Sequence, residues 1–154
     1  MNVVDEIRSS LGDSWLADLY QKVRNGRTRS YHLDIPAKEN QPEIFHTLLG
    51  IELKVGNRRF ACPDLATARY LRIFARIGCS DFAVPYDITR ISVVADAMDT
   101  AWHQMLLLAQ RRNRSAVSNA RTRSALIRKL RDEIREIGPG DAMPRFDRET
   151  KQRR

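Results

Sequence analysis

Apolar residues recur every three or four positions across residues 3–24. Val4, Ile7, Leu11, Trp15, Leu19 and Val23 mark one face of an amphipathic helix. Gly12 interrupts the run, and Asp13 or Ser14 offers a fresh N-cap, so a kink and two short helices both fit. Asn25-Gly26 ends the segment. After a polar, basic connector at 27–30, Tyr31, Leu33 and Ile35 alternate with His32 and Asp34, which predicts a short strand. Residues 36–42 form a loop bounded by prolines. In 43–49, Ile44, Leu48 and Leu49 suit a short helix, with a strand as the open alternative. Then Ile51, Leu53 and Val55 alternate with Glu52 and Lys54, and Gly56-Asn57 supplies a two-residue turn. Residues 58–62 return with Phe60 and Cys62 on one face, so 51–62 is predicted to be a β-hairpin.

Asp64 is a good N-cap for a helix whose apolar face is Leu65, Ala68, Leu71, Phe74 and Ala75, and Gly78 closes it. Residues 82–85 read as another strand. Asp87 or Thr89 opens a long helix in which Ile91, Val94, Ala95, Met98, Trp102, Met105 and Ala109 repeat at helical spacing. Val93, Ala97, Leu107 and Leu108 widen that face, which predicts the main core helix. A polar interval at 113–118 follows. Helical spacing resumes through Val117, Ala120, Ile127, Leu130, Ile134 and Ile137 until Gly138-Pro139-Gly140 stops it. The sum is an α+β domain over residues 1–138. Its small, mostly antiparallel sheet has three or four strands, including the hairpin 51–62. Helices pack one face of it, among them the long core helix and a basic C-terminal helix of about 115–137. Residues 139–154 are charged and read as a disordered tail.

The chain of 154 residues, 42% hydrophobic and 30% charged, suits one domain with a real core. Two cysteines exclude a disulfide-stapled scaffold. No apolar run reaches the roughly 18 residues of a membrane span. The acidic start Met1-Asn2-Val3-Val4-Asp5-Glu6 does not read as a signal peptide, so a cytoplasmic protein without a membrane partner is expected.

Charge changes the picture. Residues 1–60 carry 9 basic and 8 acidic side chains, residues 61–110 carry 4 and 5, and residues 111–154 carry 14 and 6. The net charge of +8 therefore resides in the last third of the chain. Within it Arg111, Arg112, Arg114, Arg121, Arg123, Arg128, Lys129 and Arg131 occur without one acid. Arginine outnumbers lysine 22 to 5, and guanidinium grips phosphate or carboxylate through two parallel bonds. The clustering points to a polyanion contact surface, against the plainer account of a solvated helix paired with Asp132, Glu133 and Glu136. Arg69, Arg72 and Arg76 stack at helical spacing as a second stripe, which Arg58 and Arg59 would join, against the plainer account of an ordinary wet helix face.

Other chemistry is thin. Asp96, Asp99 and His103 share one side of the long helix, but only the last two are close enough to share an ion. Cys62 lies at a helix start, where the dipole favours a thiolate that Asp64 opposes, and Cys79 follows the helix end. His32, His46 and His103 are scattered, and no glycine pattern forms a nucleotide cradle. Trp15, Phe60, Tyr70, Phe74 and Trp102 read as core before base-stacking platforms. The reading is a non-enzymatic protein without metal or cofactor, binding nucleic acid or a nucleic-acid-bound assembly through phosphates. The alternative is an adaptor or homodimer using the apolar stripe of the C-terminal helix, its arginines meeting an acidic protein partner.

Overall fold

The computed structural model describes residues 2–140. Helix α1 (Val3–Leu11) and helix α2 (Leu16–Arg24) are separated by a short 3-10 turn, Gly12–Ser14. Gly12 at φ +54 breaks the helix, so the single apolar face is cut in two, and Ile7, Trp15, Leu16, Tyr20 and Val23 from both halves are buried. Strand β1 (Thr28–His32) begins inside the stretch expected to be a connector, and Leu33 and Ile35 beyond its end are also buried. Strands β2 (Glu43–Thr47), β3 (Gly50–Val55) and β4 (Arg58–Cys62) follow, then helix α3 (Leu65–Ile77), strand β5 (Asp81–Pro85), helix α4 (Ile88–Arg112) and helix α5 (Ala116–Ile137).

The strands divide into two antiparallel sheets. β1 pairs with β5, Ser30 facing Ala83, while β2, β3 and β4 form a meander. In the meander Ile44, Leu53 and Phe60 lie in one row toward α3, and Phe45, Glu52 and Ala61 lie in the row behind it. Segment 43–49 is thus a strand and a turn, and its leucines end on the turn. Leu48 and Leu49 are 106% and 97% exposed. The turn closes because Gly50 takes φ +129, a backbone region that favours glycine.

The core lies between the β1–β5 ladder and helices α2, α3, α4 and α5. Phe74 stacks on Phe82 with ring centroids 4.1 Å apart, and Tyr70 leans on both rings. Asp64 caps α3 by accepting from the Thr67 N–H at 2.7 Å. Gly78 ends α3 in the left-handed region, where a side chain would run into the Lys38 backbone. α4 is the expected long core helix: Ile91, Ala95, Met98, Trp102, Met105 and Ala109 are buried. Its face is narrower than the pattern suggested, because Val93, Ala97 and Leu107 are exposed. Residues 141–154, most of the expected tail, lie outside the described residues.

Candidate nucleic-acid interface

Helix α5 starts where Ser115 Oγ accepts from the Ser118 N–H at 3.1 Å. The corner before it is pinned by Asn113, whose amide donates to the Ala109 carbonyl at 2.6 Å and accepts from the Thr122 hydroxyl at 3.2 Å. Thr122, Leu126, Ile127, Leu130 and Ile134 then face the core. Val117, expected on that stripe, is 63% exposed, because it lies on the opposite face of α5, in line with Arg121, Ser124 and Arg128.

This placement sorts the eight clustered cations. Arg112 Nη1 lies 2.7 Å from Glu6 Oε2. Arg123 Nε donates to Glu39 Oε2 at 2.8 Å. Lys129 Nζ stands 3.8 Å from Asp5 Oδ1, and Arg131 Nε donates to the Ile77 carbonyl at 3.0 Å. Each holds a distant segment against α4 or α5. The remaining four, Arg111, Arg114, Arg121 and Arg128, are exposed and make no hydrogen bond or ion pair among the described residues. Arg121 and Arg128 are two helical turns apart, about 10.5 Å along the axis. With Val117, Ala120, Ser124 and Ala125 they make up one open face of α5. The acids of α5 act elsewhere in part: Glu133 accepts from Arg8 at 2.7 Å and from the Trp15 indole at 3.3 Å.

The second stripe fares differently. Arg69 pairs with Asp96, and Arg76 Nη1 donates to Asp99 Oδ1 at 2.6 Å. His103 Nε2 lies 3.6 Å from the other oxygen of Asp99. Arg72 sits between the two pairs with its Nε buried and without a hydrogen bond. Burial and then the charge of Arg76 push the Arg72 pKa down, against the pull of Asp99. Burial alone would raise the Asp99 carboxyl, but the Arg76 hydrogen bond and charge, with His103, hold it below the usual range. The α3 arginines and α4 aspartates are therefore one internal ladder, which also occupies the carboxylates considered as ligands. Among the described residues no group of three or more His, Cys, Asp or Glu is placed to hold a metal. Arg58, expected alongside, pairs with Asp34, and Arg59 reaches Glu52 at 3.3 Å.

The chain matches no protein-family model, no curated protein and no solved structure. Its chemistry is read from its own side chains.

Both cysteines are buried and free. Burial raises the Cys62 thiol despite the helix start beside it, with Asp64 adding to the rise, and pushes Cys79 up to about 12. Neither is poised as a nucleophile. Trp15, Tyr70, Phe74 and Trp102 are buried and Phe60 is half-buried, so none of them offers an open stacking face. The polar connector at 27–30 holds a contact that periodicity passes over: Arg27 lies 5.2 Å over the Tyr86 ring. Among the described residues no helix is long and apolar enough to cross a membrane.

Proposed function

We propose that this protein binds the phosphate backbone of nucleic acid, without catalysis, through the exposed guanidinium groups of Arg111, Arg114, Arg121 and Arg128. One observation carries the reading: these four have no carboxylate partner among the described residues, while their neighbours Arg112, Arg123 and Lys129 do. No acid occurs in the sequence between Asp99 and Asp132, so Arg111, Arg114 and Arg121 have no acid on neighbouring turns; Arg128 shares its surface with Asp5, Asp132 and Glu136 but bonds to none of them. Unpaired guanidinium on a rigid helix neutralises phosphates and releases condensed counterions, giving affinity that is blind to sequence and steep in salt. Arg121 and Arg128 stand on α5, which Leu126, Ile127, Leu130 and Ile134 fix to the core, and Arg111 is on the last turn of α4, so little ordering of these three is needed on binding; Arg114 lies in the corner between the helices.

The dimer or adaptor reading through the apolar stripe of α5 has less to act on. Ile127, Leu130 and Ile134 are inside the core, and only Val117 and Ala120 of that stripe are exposed. The test compares fluorescence anisotropy of a labelled DNA duplex and an RNA hairpin titrated with wild type, a variant with all four arginines changed to alanine, and Arg69→Ala/Arg76→Ala. Loss of affinity in the first variant and retention in the second supports the reading. Failure of the wild type to bind either probe at low salt overturns it.

A further inference from the structure

The meander has two unlike edges. β4 presents Arg58 and Arg59, charged side chains of the kind that keep a strand edge from pairing with another chain. β2 has no such guard. Its one charged residue is Glu43 at the first position, and Glu43 faces Lys54 across the ladder. Phe45 is exposed in the middle of the strand, and the turn beyond it carries two fully exposed leucines. Among the described residues α3 is the helix that packs on this sheet, on the face of Ile44, Leu53 and Phe60, and the outer edge of β2 pairs with no strand.

We infer that β2 pairs antiparallel with β2 of a second copy of this chain, extending the meander into a six-stranded sheet across a two-fold axis. The sequence of the edge is self-complementary when the axis passes at Phe45. Glu43 then faces Thr47 of the partner copy, Ile44 faces His46, Phe45 faces Phe45, and Leu48 lies beside Pro42. The two Glu43 carboxylates stand four residues apart along the strands, roughly 13 Å, which exceeds the screening length of about 8 Å at physiological salt. Ile44 stays on the α3 side in both copies, because a two-fold through the sheet preserves its faces. The same pairing at β4, with the axis at Phe60, would set the two Arg59 side chains only two residues apart along the strands, roughly 7 Å, inside that screening length.

Charge separates a second copy from other occupants. Residues 39–53 contain Glu39, Glu43 and Glu52 and neither lysine nor arginine. Each of these acids has a basic neighbour, Glu39 with Arg123, Glu52 with Arg59 and Glu43 opposite Lys54, so the edge is locally neutral and offers a nucleic-acid backbone or an anionic lipid surface no free cation. In a chain of net charge +8, this is where two copies approach with least repulsion. Two leucines and a phenylalanine per copy form a contact of the small class, below roughly 1,200 Å² in total, so reversible dimerisation in the micromolar range is expected.

Sedimentation velocity from low to high micromolar protein tests this directly. Wild type should shift from monomer to dimer. Phe45→Lys, which sets two ammonium groups against each other at the axis, should weaken the dimer at least roughly tenfold. Val117→Asp on α5 should leave it unchanged, and circular dichroism checks that both variants are folded. As a second readout, Phe45→Cys should form an interchain disulfide on oxidation, because facing residues of an antiparallel pair lie about 4.5–5.5 Å apart. Thr47→Cys, displaced from the axis, should not. A wild type that stays monomeric throughout overturns the inference. So does a dimer that survives Phe45→Lys or dissolves on Val117→Asp.

Discussion

Arg123 rests its guanidinium on the carboxylate of Glu39, Nε to Oε2 2.8 Å, joining residues 84 positions apart. Two residues earlier Arg121 is exposed with no such partner among the described residues. The pair shows how one basic helix serves two purposes: Arg123 fastens α5 to the loop before β2, and Arg121 is left for an external anion. Glu39→Gln removes the tether's charge and frees Arg123. Log affinity against log salt should then steepen by roughly 0.9, the contribution of one more phosphate contact on duplex DNA. An unchanged slope would show that Arg123 does not reach the ligand.

Tyr20 joins three elements through one oxygen. Its hydroxyl accepts from the Ala83 N–H at 2.7 Å and donates to the Gly138 carbonyl at 2.7 Å, so α2, β5 and the end of α5 meet there. Burial pushes its pKa up to about 12, so it stays a neutral donor. Tyr20→Phe leaves a buried N–H unpaired and should cost about 1–3 kcal/mol in urea unfolding. A change below about 0.5 kcal/mol, under the smallest net hydrogen bond, would contradict that role.

The elements were legible in the sequence wherever local chemistry decides them. Asp64 and Asp87 do cap α3 and α4, and the Gly56-Asn57 hairpin is present. What could not be read is what comes from another part of the chain. Nothing near Arg69 or Arg76 announces Asp96 and Asp99, because their partners lie on α4. Leu48 and Leu49 look like a helix face by spacing, yet they sit on a turn because Thr47 pairs with Gly50. The split into two sheets is equally non-local, since β1 finds β5 across the whole meander. The cluster 111–131 was visible as charge, but only tertiary contacts separate the four arginines without a partner among the described residues from the rest.

The Arg–Asp ladder predicts a pH signature. The Asp99 pKa is lower in the fold than in the unfolded chain, so its carboxylate stabilises the protein above the ordinary range and that stabilisation is lost as pH falls through the folded value. Asp99→Asn should lower stability at neutral pH by about 1–2 kcal/mol, with the charge-assisted bond to Arg76 removed. The gap to wild type should close below about pH 4. Denaturant melts of both proteins across pH check this; a gap constant with pH would assign the loss to packing.

Cys62 and Cys79 are buried with raised pKa values, Cys79 to about 12. A thiol reagent at mildly alkaline pH should leave both unmodified in the folded protein and label both in urea. Rapid labelling of the native protein would place a thiolate at the surface and reopen a chemical role.

The most direct measurement is the salt dependence of duplex binding by wild type and by the variant lacking Arg111, Arg114, Arg121 and Arg128. Four phosphate contacts predict a log–log slope of about −3 to −4 for wild type. With the four side chains truncated to alanine, the slope should approach zero. A wild-type slope near zero, or one that the substitutions leave intact, would contradict the account.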